Sequence, residues 1–257
     1  MDYYQDFQKK LEAKEQEQNK RTIKTYESLD AVRVKRNDSE YIMMASNNYL
    51  GLTHEPRVQE AAMQVIQRYG TGSGGARLTS GSFPLFKELE IAIANFKETE
   101  QSLVFNTGYM ANVGTITALM NKHSVIISDE LNHASIIDGC RLSGAHIERY
   151  KHKDVEHAEY ILKNYKSVYK MIITDGVFSM DGDIAPLDKL YELSREYNAL
   201  LMVDDAHATG TIGNGHGTAA YFGLEKEVDI QLGTLSKSLG SVGGYVAANS
   251  TIIDYLV

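Results

Sequence analysis

Apolar positions recur along this chain in two rhythms, one of helices and one of buried strands. Residues 2–20 carry only Phe7 and Leu11 one turn apart among charged and amide side chains, which predicts a helix whose stripe is too thin for a core. Such a helix must lie on something else. A short strand is expected at Tyr41–Ala45, and then SNNYLGLTHEP, rich in Asn, Gly and Pro, marks a turn before a helix over Pro56–Tyr69. This places a boundary near Ala45, between an N-terminal helical and strand segment (1–45) and a large domain (46–257).

Beyond it the pattern alternates. Helices are predicted over Phe83–Phe96, Tyr109–Met120, Ile136–Ser143, Val155–Asn164 and Leu187–Tyr197. Strands are predicted over Ser102–Phe105, Ser124–Ile127, His146–Tyr150, Lys170–Thr174, Leu200–Val203, Asp229–Leu232 and Gly244–Ala248. Strands that are apolar throughout, alternating with helices, predict an α/β fold with a mostly parallel sheet covered on both faces. At the end, Ser250 and Thr251 are placed to cap IIDYLV, yet the chain stops at Val257 before that helix completes an apolar face. The chain therefore reads as an N-terminal portion of a longer protein, incomplete at the C-terminal end of its large domain and inactive by itself.

Composition narrows the class. With 26 Lys+Arg against 34 Asp+Glu the net charge is −8, which argues against a nucleic-acid partner, and 43% hydrophobic residues are enough for a large core. No apolar run reaches the roughly 18 to 20 residues of a membrane span, and the charged N-terminus lacks the apolar core of a signal peptide. A cytoplasmic location without membrane contact is expected. Cys140 is the single cysteine, so neither an internal disulfide nor a multi-cysteine metal site is open to the chain.

In open parallel sheets ligands bind outside the carboxyl ends of the strands. Following these ends in order gives Asn106-Thr107-Gly108-Tyr109 at a helix start, Asp129-Glu130-Leu131-Asn132-His133, and Asp175 through Asp181 with Ser179 among them. Next come Asp204-Asp205-Ala206-His207 and Ser236-Lys237-Ser238. Each alone is weak, since a loop histidine is usually structural and a lysine among serines usually solvated. Together they match the needs of a pyridoxal phosphate site: a lysine for the Schiff base, a carboxylate for the pyridine nitrogen, an anchor for the phosphate, a donor to the ring hydroxyl and a flat group on the ring. Lys237, Asp204, the helix start at Gly108, His207 and His133 can fill these roles.

The segments NNYLGL, GTGSGGARLTSG, FNTGYMAN, DELNHASIIDG, DGVFSMDGD, VDDAHATG and GTLSKSLGSVGGY, in this order from Ser46 to Ala248, resemble those of the α-oxoamine synthases. These are pyridoxal phosphate enzymes of fold type I, the aspartate-aminotransferase type. The resemblance implies that Lys237 forms the Schiff base and moves the substrate proton, and that Asp204 pairs with the pyridine nitrogen. It further implies that His207 and Ser179 address the ring hydroxyl, that His133 stacks on the ring and meets the substrate, and that Gly108, Tyr109 and Thr234 hold the phosphate. GGARLTSG is similar to the motif of members that condense L-alanine with a pimeloyl thioester, on coenzyme A or acyl carrier protein, to 8-amino-7-oxononanoate for biotin synthesis. Ala76 stands where those members usually carry serine; glycine C-acetyltransferases instead have Val-Arg-Phe after the small residues. Arg21 falls where a substrate-contacting arginine is placed. A homodimer is implied, as is a C-terminal domain, absent from this chain, that binds the substrate carboxylate through arginine.

Rival classes fit less well. Gly70, Gly72 and Gly75 give a G-x-G-x-x-G skeleton, as in a nicotinamide-binding dehydrogenase, but it follows a helix instead of a strand. A serine hydrolase lacks the G-x-S-x-G elbow. A metal hydrolase built on Asp204, His207 and His133 lacks diagnostic spacing.

Overall fold

The computed structural model describes residues 2–166 and 168–257. The chain folds as two units, Met1–Ala45 and Ser46–Val257.

In the first unit α1 (Tyr3–Gln16) is capped by Asp2 and buries no residue, in line with its thin stripe. Three short strands follow, β1 (Glu27–Ser28), β2 (Arg33–Arg36) and β3 (Ser39–Ile42), in an antiparallel sheet of order β1-β2-β3. Only the last was expected, and it lies two to three residues earlier than predicted. The first two are polar (ES and RVKR) and carry no apolar alternation to read.

The second unit begins with α2 (Pro56–Tyr69) and α3 (Pro84–Lys97), each with proline in its first turn, where a missing N–H costs no intrahelical bond. Then come β4 (Gln101–Phe105), α4 (Gly108–Leu119), β5 (Ser124–Asp129), α5 (Ala134–Ser143), β6 (His146–Tyr150), α6 (Val155–Leu162) and β7 (Tyr169–Asp175). The unit closes with α7 (Leu187–Glu196), β8 (Leu200–Asp204), α8 (Thr218–Tyr221), β9 (Ile230–Thr234), β10 (Gly244–Ala248) and α9 (Ser250–Leu256). Of these only the four-residue α8 had no counterpart in the pattern. The cap of α9 is Asn249, whose side chain accepts the N–H of Ile252, and not Ser250 or Thr251, which are already helical. Ile253 is buried and Ile252 and Leu256 pack on the core, while Tyr255 and Val257 are exposed.

Seven strands form one sheet in the order β4-β10-β9-β8-β7-β5-β6, all parallel except β10. The period of two along a strand splits the core into two layers. Ile126, Met171, Ile173 and Met202 face α4 and α5 through Ile116, Ile136 and Cys140. Val125, Ile127, Ile172, Leu201 and Val203 face α6 and α7 through Leu162, Leu187 and Leu190. Central strands wet on neither face must be apolar throughout, which is why they could be read from sequence. Among the described residues no helix is long and apolar enough to cross a membrane.

Candidate active site

The parallel strands end side by side, so the last residues of β7 and β8 are register partners: Asp175 lies opposite Asp204. A cavity of about 220 Å3 opens at this edge. All eight residues expected to hold the cofactor line it: Gly108, Tyr109, His133, Ser179, Asp204, His207, Thr234 and Lys237. Arg21 belongs to the other unit, exposed in a stretch without regular structure.

The start of α4 forms one wall. The Thr107 hydroxyl accepts the N–H of Met110 at 3.0 Å as N-cap, while the first N–H groups of the helix have no intrahelical acceptor and carry the positive end of its dipole. β10 reaches this helix start only because Gly244 has no side chain; a Cβ there would fall 2.6 Å from backbone atoms of Gly108. Beside it Thr234 ends β9 with its hydroxyl 2.8 Å from that of Ser236 and from the Gly243 carbonyl. Lys237 follows in a turn closed by Gly240, whose left-handed φ of +63° and contact with the Thr53 backbone exclude a side chain.

Opposite lie the carboxylates. Asp204 is buried and accepts from the Asn112 amide at 2.7 Å and from the Ala206 N–H at 2.9 Å. Burial pushes its pKa up, against those two hydrogen bonds and the nearby Lys237. Asp175 accepts the N–H of His133 at 2.9 Å, and burial and the charge of Asp204 raise it well above the ordinary carboxylate range. Both carboxylates would ionise more readily beside a further cation.

Lys237 and His207 face the pair. Nζ of Lys237 is 2.7 Å from Nε2 of His207. Burial lowers the lysine pKa, although Asp204 and Asp175 oppose the shift. The histidine is pulled down to about 4 by burial and by the charges of Lys237 and His133, so it is neutral at pH 7. His133 caps α5, with Nδ1 2.6 Å from the Ser135 hydroxyl. The hydroxyl of Tyr109 donates to Asp138 at 2.9 Å, which leaves its backbone N–H at the helix start as the group suited to an anion.

Asn112, Ser135, Asp175 and Ser236 also line the cavity and were not among the expected site residues. Asn112 was findable, standing four residues after Gly108 and so one turn inward on the same helical face. Asp175 ends β7 as Asp204 ends β8, and its place directly after the apolar run MIIT was the signal available in the sequence. The loop at Gly70–Gly75 follows α2 and not a strand, so the setting of a dinucleotide-binding turn is missing.

The aminotransferase class I and II family matches residues 39–257. The chain is 47% identical over 253 residues to an 8-amino-7-oxononanoate synthase of Lysinibacillus sphaericus, covering 98% of this chain and 65% of that protein. Among solved structures, a serine palmitoyltransferase from S. paucimobilis with a bound PLP–myriocin aldimine superimposes with a TM-score of 0.87 at 36% identity, covering 90% of this chain and 58% of that one. An 8-amino-7-oxononanoate synthase from Francisella tularensis does so with a TM-score of 0.71 at 32% identity, covering 82% and 59%. The chain spans under two thirds of the length of each of these relatives. By the extent of the family match and by the relatives it aligns with, the chain belongs to the class I and II aminotransferase family, on its α-oxoamine synthase branch.

Proposed function

We propose that the cavity holds pyridoxal 5'-phosphate and that the protein, as a cytoplasmic homodimer, condenses L-alanine with a pimeloyl thioester, with loss of CO2, to give 8-amino-7-oxononanoate. The observation that carries the reading is the convergence of Lys237, His207, His133, Asp204 and the start of α4 on one cavity. Identity near one half to proteins of that activity supports the choice of substrates.

The residues present fit the cofactor. Two buried carboxylates whose pKa values burial raises, and which a further cation would lower, suit a protonated pyridine nitrogen, and the open end of α4 beside the Thr234 hydroxyl suits a phosphate. When bound, pyridoxal phosphate supplies an electron sink that acidifies the Cα–H of an attached amino acid.

The chain's own groups do the rest. Asp204, held on both oxygens by Asn112 and Ala206, keeps a proton on the ring nitrogen. Lys237, its pKa lowered by burial, has a larger share of free amine at neutral pH, which suits it to attack a carbonyl and later to remove the Cα proton. Neutral His207 and the Ser179 hydroxyl hold the ring oxygen without adding charge, and His133 provides a flat surface at the mouth. Arg21 is proposed to reach the substrate.

A second reading within the same branch, a glycine C-acetyltransferase or another α-oxoamine synthase, draws support from Ala76 and from solved relatives named serine palmitoyltransferase. A product assay decides. L-alanine, glycine and L-serine are each offered with pimeloyl-CoA, pimeloyl-acyl carrier protein, acetyl-CoA and palmitoyl-CoA. The expected outcome is 8-amino-7-oxononanoate from L-alanine and a pimeloyl donor; faster turnover of glycine with acetyl-CoA or of serine with palmitoyl-CoA would overturn the substrate assignment.

A further inference from the structure

The loop before α2 brings to His207, behind the cavity wall, a side chain that no role above uses. The hydroxyl of Tyr49 lies 2.7 Å from Nδ1 of His207 and 3.2 Å from Oδ1 of Asn47. With Nε2 of the same histidine 2.7 Å from Nζ of Lys237, four groups stand in a row: amine, imidazole, phenol and amide oxygen. The two ends fix the direction of the hydrogen bonds. A lysine ammonium only donates and an amide oxygen only accepts, so Nζ–H donates to Nε2, Nδ1–H donates to the Tyr49 oxygen, and the Tyr49 O–H donates to Asn47. In this state His207 carries its proton on Nδ1.

Holding the ionised hydroxyl of a bound pyridoxal ring requires the opposite tautomer, with Nε2–H as donor and Nδ1 as acceptor. We propose that Tyr49 is a positioning residue that reverses the His207 tautomer in the same event that frees the Lys237 amine, an inference that rests on the cofactor reading above. The protons balance. One passes from the Lys237 ammonium to Nε2, the Nδ1 proton passes to the Tyr49 oxygen, and the former Tyr49 proton leaves to water. The path to water is open, because Tyr49 is 44% exposed. At the end the amine is neutral and nucleophilic, His207 is neutral with its proton on Nε2, and the Tyr49 O–H points at Nδ1. A hydroxyl suits this place because it accepts in one state and donates in the other. The low pKa of His207, about 4, agrees with an imidazole that passes protons through without holding a second one.

Tyr49→Phe tests the relay, and the half-exposed site should tolerate the change. The first measurement uses cofactor-free protein, with the His207 tautomer read from 15N-edited NMR of the imidazole. Followed against pH, wild type should show the Nδ1–H form while Lys237 is an ammonium, and the variant, having no acceptor for the Nδ1 proton, should pass to Nε2–H at a lower pH, as soon as Lys237 becomes a free amine able to accept it. The second is the rate at which added pyridoxal phosphate develops its lysine-bound absorbance, expected to fall about a hundredfold in the variant, the low end of what a positioned proton-transfer group contributes. Equal tautomer populations in the two proteins overturn the relay even if both take up the cofactor. A tautomer difference with no lysine-bound chromophore in either protein overturns the reading of the site instead.

Discussion

Replacing Lys97 by Met is expected to remove about 3–5 kcal/mol of stability although the residue touches no ligand. Lys97, the last residue of α3, and Asp205 have fully buried side chains, with ammonium and carboxylate 2.7 Å apart. The ammonium also donates to the His216 carbonyl, and the carboxylate accepts the Thr218 N–H. Burial pulls the lysine pKa down, but Asp205 and Tyr245 outweigh it and the net shift is upward. At an effective dielectric constant of 20 the pair attracts by about 6 kcal/mol at this distance. Methionine needs no desolvation, which returns part of that, and what remains is the cost of a carboxylate stranded in the core, about 3–5 kcal/mol. Set against a typical total of about 5–15 kcal/mol, the loss is large. Asp205 follows Asp204 directly, and its carbonyl accepts the N–H groups of Ala208 and Thr209, so the turn carrying His207 should loosen too. Urea denaturation followed by circular dichroism measures the first effect and amide hydrogen exchange at Ala208 and Thr209 the second. The double variant Lys97→Met with Asp205→Leu should recover most of the stability, because it removes the stranded charge. A single-variant loss below about 1 kcal/mol would refute the reasoning, since it lies within what an exposed ion pair contributes.

Other expectations are as direct. Asp204→Asn should keep the cofactor but slow turnover by about 10² or more, as for loss of a preorganised charge contact; stopped-flow measurement of Cα proton exchange reports it, and near-normal rates would remove Asp204 from its role. Gly244→Ala places a Cβ against the Gly108 backbone and should displace the start of α4, weakening binding of inorganic phosphate and pyridoxal phosphate in parallel by calorimetry. The folded-state pKa of His207 lies below its ordinary value, so the unfolded chain binds the extra proton first. Its contribution to stability is therefore complete above about pH 6.5 and is lost as the pH falls toward about 4. Asp175 and Asp204, with raised values, act with the opposite sign, so the His207 effect is read as the difference between wild type and His207→Asn: as the pH falls across that window the denaturation midpoint of the variant should drop less than that of wild type, or rise.

Much of the site could be read before any coordinates because strands buried on both faces announce themselves as unbroken apolar runs, and a run's last residue marks the ligand edge. VIIS, MIIT and LLMV are of this kind, and Asp204, His207 and Ser179 follow from where they end. What stayed hidden depends on which strands are neighbours. The sheet order, and with it the pairing of Asp175 with Asp204, is set by crossovers that leave no local mark. Tyr49 and His207 are 158 positions apart and meet only through the fold. The polar strands β1 and β2 owe their structure to backbone pairing, with no apolar alternation for a pattern to show.

The central claim is that this cavity binds pyridoxal phosphate through Lys237. Incubation with the cofactor, reduction by borohydride and peptide mapping put it to the test at a single residue. The expected result is a stable pyridoxyl group on Lys237, with none on Lys237→Ala protein of unchanged circular dichroism. A label on any other lysine, or the same labelling after Lys237→Ala, would contradict it.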